Sequence, residues 1–305
     1  MRPSRLEPFS RLALVCTVSL VAACSSAADN APPRSAEPLP YRLSVPPKDA
    51  IPEGEFLRYG VSLLFLSVGQ IDFEAHWSED PEGPVLRMTM VNSPRGLAAA
   101  LTRYGGYAVS WMNPDTLLPR RYTWNNPYKD ELLRRFNIYE EDEGRVACVQ
   151  IEGGKWESSS FSTPRAADPA SLLTLLRFID LKEGDEVRLR LIEGLKERLV
   201  TLRGLGTDVL HGKGGTDIPA TRLGVRVDRL RDGELRDEPP ETDMESWVAV
   251  KPPRVVLKSR GRMGGVNLTI RLEERKIVEK ESAEALPPAE SQVRMPHHGK
   301  GTAHR

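Results

Sequence analysis

The chain of 305 residues is short of the side chains that usually carry chemistry, with three cysteines and five histidines. Three cysteines cannot build a four-thiolate metal cluster, nor can they all pair within one disulfide framework. An excess of one charge is missing as well. Forty-three Lys and Arg offset 43 Asp and Glu, and this balance argues against nucleic acid, which asks for a basic face. Long apolar runs are also lacking. The stretch Leu12–Ala23 holds twelve uncharged residues, fewer than the roughly 20 that a membrane-crossing helix needs.

That short stretch has a use of its own. Arg2, Arg5 and Arg11 precede it, and small residues close it. A basic start, a short apolar middle and small residues before a cut define a cleavable signal, here residues 1–23. The segment Val21-Ala22-Ala23-Cys24 resembles the lipobox of bacterial lipoproteins, where the cysteine sulfur accepts a diacylglyceryl group. The resemblance implies a mature chain that begins at Cys24 and is held to the membrane by acyl chains, each buried methylene adding about 0.8 kcal/mol. Serine rather than aspartate at position 25 leans toward the outer membrane, facing the periplasm. With Cys16 removed and Cys24 lipidated, Cys148 stands alone in the strand-like RVACVQI and reads as a small buried hydrophobe.

Residues 24–51 carry Pro32, Pro33, Pro38, Pro40, Pro46 and Pro47 among small and polar neighbours, the composition of an extended, flexible tether. Residues 279–305 are charged and poor in large apolar side chains, so a disordered tail is expected there, His297, His298 and His304 included. Between them, residues 52–278 form one domain. Its main signal has period two. Val187, Leu189 and Leu191 alternate with Arg188 and Arg190, and Leu268, Ile270 and Leu272 alternate with Thr269 and Arg271. Clean alternation means strands with one buried and one wet face, hence antiparallel sheet. Two segments break the rule. Arg95–Arg103 has helical composition. Asp168-Pro169 offers a cap and a first-turn proline, after which Leu172, Leu175, Leu176 and Ile179 line one helical face. The expected class is mainly β: an antiparallel curved sheet or incomplete barrel with one or two packed helices.

Four stretches then coincide: EGEFLRYGVSLLFLSVGQIDFEA, NPDTLLPRRYTW, DPASLLTLLRFIDLKEGDEV and ESWVAVKPPRVVLKSRGRMGGVNLTIRL. Together they resemble the bacterial envelope family known as domain of unknown function 3108, over about Pro52 to Glu273. These are motifs of turns, caps and strand ends, so they speak of fold and not of reaction. A departure is Pro252-Pro253 in place of a clear final proline motif. A weaker resemblance to the lipoprotein-carrier half-barrel implies handling of lipid or acyl chains.

Catalytic patterns fail in the domain. His76 and His211 have no Ser or Cys in a nucleophile context, and His211-Gly212-Lys213-Gly214-Gly215 lacks the spacing and the Lys-Ser/Thr pair of a phosphate loop. No metal site and no cofactor is expected. One concentration stands out: Tyr104, Tyr107, Trp111, Tyr122, Trp124, Tyr128, Phe136 and Tyr139 hold eight of nineteen aromatics. Such rings either fill the core face of a sheet or line an apolar groove. Under the second reading Trp111, Tyr122 and Trp124 would bind a hydrophobic ligand. The expected function is that of a non-enzymatic envelope lipoprotein binding a lipid, an acyl chain or another hydrophobic ligand. The alternative is an interaction lipoprotein docking an envelope protein or peptidoglycan.

Overall fold

The computed structural model describes residues 37–64, 66–96, 105–126, 133–163, 165–212, 215–235, 238–263 and 266–279. The signal, Cys24, most of the tail, Tyr104, Tyr128 and nearly all of the expected helix at 95–103 lie outside the described residues.

The first half of the domain is a run of hairpins: β1 (Glu55–Leu63), β2 (Leu66–Asp80), β3 (Gly83–Pro94), β4 (Gly106–Met112), β5 (Pro119–Asn126), β6 (Leu133–Glu140), β7 (Arg145–Glu152) and β8 (Lys155–Ser162). The second half opens with β9 (Ala166–Ala167) and continues through β10 (Glu186–Glu193), β11 (Lys196–His211), β12 (Asp217–Arg231), β13 (Glu234–Leu235), β14 (Thr242–Ala249), β15 (Val256–Met263) and β16 (Val266–Ile277). Two helices are defined among the described residues, α1 (Pro47–Ala50) and α2 (Pro169–Phe178). The last strand, β16, returns to pair with the first, β1, joining both halves into one curved, open sheet. All its pairings are antiparallel except β9 with β10.

The two outer edges of this sheet, β8 and β9, are consecutive in the chain. Thr163 N–H donates to Gly144 O, and three residues later Ala166 pairs with Arg190. Three residues span at most about 11 Å, so the edges must come close together. Side chains seal the gap where no ladder does: Val146 and Cys148 pack with Ala166 and Ile192, and Arg135 lies 3.6 Å from Glu193. The sheet is thus barrel-like without being closed.

Helix α2 fills its interior, touching β3 and β4 on one wall and β10 and β14 on another. Local chemistry explains why it starts where it does. Asp168 takes the Ser171 N–H at 2.8 Å, the Ser171 hydroxyl takes the Asp168 N–H in return, and Pro169 follows the cap. The Ser110 hydroxyl on β4 also donates to Asp168, at 2.5 Å, and this pins the helix start to the sheet. Leu172, Leu175, Leu176 and Ile179 are all buried, as the helical spacing requires.

Residues 37–51, which composition assigns to the tether, lie against the domain. Ser44 N–H donates to Phe178 O, Asp180 N–H donates to Arg42 O, the Tyr41 hydroxyl donates to Thr116 O, and Ile51 is buried. Prolines thin out backbone donors, but the apolar side chains between them still bury surface. The domain therefore starts before residue 52. Close approach fixes Gly204, where a Cβ would meet Lys182 O at 1.9 Å.

Candidate functional site

The site is an apolar cleft between α2 and the strands around the β1–β16 junction. Alternation puts Leu57 and Tyr59 of β1 on the inner face, and the register sets them opposite Phe73 and Ile71 of β2. The Tyr59 and Phe73 rings meet edge to face at 5.7 Å. Met88 of β3, Val256 and Ser259 of β15 and Ile270 of β16 continue the wall. The helix supplies Leu173, Thr174 and Arg177, spaced to share one face. The cleft is half open to solvent and the free room inside it is about 40 Å³, space for a few water molecules, so a larger guest enters only as the walls part.

Arg177 is the charged group of this lining. Its Nη1 donates to Glu55 at 2.7 Å and its Nε to Arg254 O at 2.6 Å, while Arg254 Nε donates back to Arg177 O. Arg275 donates to the other Glu55 oxygen at 3.0 Å. The Arg177 and Glu55 side chains are 3% and 1% exposed. Burial makes the pair obligatory, since either charge alone would be costly in the interior. Burial also pushes the Tyr59 phenol well above its ordinary range, so it stays neutral. The Nη2 of Arg177 is buried and has no hydrogen-bond partner among the described residues.

The three aromatics singled out in the sequence do not meet in one space. Register pairs Ser110 with Tyr122 and Ala108 with Trp124, while Trp111 pairs with Arg121 on the opposite face. Tyr122 and Trp124 belong to the main core, with the Arg135 guanidinium 5.0 Å from the Trp124 ring. Trp111 packs with Val85 and Val109 on the outer face, beneath Arg121 at 4.6 Å. None of the three lines the cleft. The spacing Trp111–Tyr122–Trp124 is only a linear proximity, whereas a sheet sorts side chains by parity.

Other sequence candidates have structural partners. His76 is held between Glu53 at 2.9 Å and Glu74 at 2.6 Å. Burial lowers its pKa, but the two carboxylates outweigh that and the net shift is upward. Burial pushes the Cys148 thiol up to about 12, so the sulfur is not a thiolate at neutral pH. Exposed His211 bonds Asp217 across its hairpin. Among the described residues no group of three His, Cys, Asp or Glu could hold a metal ion.

Fold and cleft together define a barrel-like antiparallel β domain wrapped around one buried helix. The chain belongs to the family described as protein of unknown function (DUF3108), whose model matches residues 57–271. Among solved structures it is similar to a β-barrel-like protein of domain of unknown function DUF1849 from Brucella abortus. That likeness has a TM-score of 0.50 at 10% identity and covers 74% of this chain and 98% of that one. A lipoprotein candidate from Parabacteroides distasonis aligns with a TM-score of 0.32 at 7% identity, covering 78% of this chain and 100% of that one. No curated protein matches the chain in sequence. The first likeness agrees with the barrel-like curvature and speaks of fold alone.

Proposed function

We propose that the protein is a lipid-anchored component of the bacterial cell envelope that takes up a hydrophobic ligand in the cleft beside α2, without catalysis. The observation that carries this reading is the cleft itself. Leu57, Ile71, Phe73, Met88 and Leu173 border a small apolar groove with about 40 Å³ of free room, which an entering chain would widen along the helix. Apolar walls with few polar groups suit an acyl chain or a molecule like it. A non-catalytic role is supported by the fixed pairing of His76 and the raised thiol of Cys148, which leave neither group poised as a base or nucleophile. Anchoring rests on Cys24 behind Val21-Ala22-Ala23, with Ser25 favouring the outer membrane and its periplasmic face. Native mass spectrometry of the mature chain tests the ligand: a bound hydrophobic mass supports the reading, and a bare polypeptide together with no binding of any apolar probe refutes it. Fatty-acid labelling tests the anchor, and equal labelling of Cys24→Ser would refute the lipobox.

A second reading has its own support. Among the described residues strand β8 is a sheet edge with no further partner strand, and its Trp156 is 57% exposed. An unpaired edge can add a strand from a partner, which would make the domain a docking module for an envelope protein.

A further inference from the structure

We infer that the cleft selects amphiphiles with a carboxylate head and that Arg177 is the residue that reads it. This rests on the proposed hydrophobic-ligand reading and adds the chemistry of the ligand's polar end. An apolar cleft alone would take any chain of suitable length, and this one has an arginine in its wall.

Three observations combine. Arg177 lines the cleft and is 2% exposed, so its charge lies in a low-dielectric setting. Of its three nitrogens, Nη1 is taken by Glu55 and Nε by Arg254 O, whereas the buried Nη2 has no hydrogen-bond partner among the described residues. A buried donor without an acceptor is costly and in native proteins usually marks an absent partner. Lastly, the buried Arg177 shares the one carboxylate of Glu55 with Arg275, whose side chain is 30% exposed and screened by solvent. A further anion would complete the pairing of Arg177. Once the walls part to admit it, a carboxylate on Nη2, which is closed off from solvent in this structure, would make a charge-assisted hydrogen bond, while the attached chain would run between Leu173 and the β1–β2 wall. Phosphate monoesters or bulky sugar heads fit less well, because the polar groups of the cleft are few: Arg177, Thr174, Ser259 and the Tyr59 hydroxyl.

The test compares decanoate with decanol, equal in chain length and different in head, on the mature chain (residues 24–305) carrying Cys24→Ser and purified without detergent. Decanoate is expected to bind about tenfold or more tightly, in keeping with a hydrogen bond to a charged donor. Arg177→Gln removes a partner of Glu55 and could unfold the domain, so Arg177→Lys is the second variant. Lysine keeps the ion pair with Glu55 and loses the spare fork, so its folded domain should bind both probes with nearly equal affinity. Equal binding of the two probes by the wild-type chain, or retained preference in a folded Arg177→Lys variant, overturns this inference and leaves hydrophobic binding standing. Failure of both probes to bind overturns the inference together with the reading beneath it.

Discussion

The two walls that enclose α2 are built from different side chains and end in different states. On the β4–β5 wall Tyr122 and Trp124 are 2% and 4% exposed and fill the space before them. On the β1–β3 and β15–β16 wall, aliphatic residues and the Tyr59–Phe73 pair leave a cleft. Each wall carries two inward aromatics, so it is not their number but their place beside α2 that separates the walls. The same helix meets both walls, packing Leu175 and Leu176 tightly and presenting Leu173 and Arg177 to the cleft.

This contrast can be broken most forcefully at its electrostatic corner. Glu55→Gln leaves the buried Arg177 against a neutral amide, while Arg275 turns to solvent, and loss of one partner of such a buried pair costs about 3–5 kcal/mol. Chemical denaturation should show that loss, and an unchanged midpoint would mean the corner is hydrated. Next come the filled positions. Trp124→Ala should lower stability by about 3–5 kcal/mol and Leu176→Ala by about 2–5 kcal/mol. Both folded variants should retain apolar-probe affinity near that of the wild type. Leu173→Ala, on the cleft side and partly exposed, should cost less than either, about 1 kcal/mol. A larger loss would show that the cleft wall is as tightly packed as its counterpart.

The smallest effect concerns pH. The folded-state pKa of His76 is raised by Glu74 and Glu53 against the opposing influence of burial. Its contribution is therefore complete below the unfolded value of about 6.5 and fades as pH rises through the folded value. Between pH 6 and pH 8 the wild type should lose stability relative to His76→Gln by at most about 1 kcal/mol. A gain over the same window would reverse the assignment.

Much of this architecture is legible in the residues. The alternation at Val187–Leu191 and Leu268–Leu272 encodes strands, and Asp168-Pro169 encodes the helix start through a cap that the structure shows in full. Less legible is where the ordered chain begins, because proline content masks the burial of Ile51 and the contacts of Tyr41. The cleft was also hidden. Its walls come from β1, β2, β3, β15 and β16, which are distant in sequence and meet only because β16 returns to β1. One local signal did point toward it. Arg177 is the lone charge between Pro169 and Ile179, and a charge on an otherwise apolar buried helix must have a partner. The aromatic cluster misled because closeness along the chain says nothing about which face a side chain takes once its strand is paired.

On the reading proposed above, the open wall, and not the aromatic one, receives the ligand. The most direct measurement is the titration of an environment-sensitive fluorescent fatty acid against three folded proteins: wild type, Leu173→Trp and Trp124→Ala. Filling the cleft with an indole should reduce affinity at least about tenfold, while Trp124→Ala should bind as the wild type does. Undiminished binding by Leu173→Trp, with binding lost in a folded Trp124→Ala, would return the site to the aromatic wall.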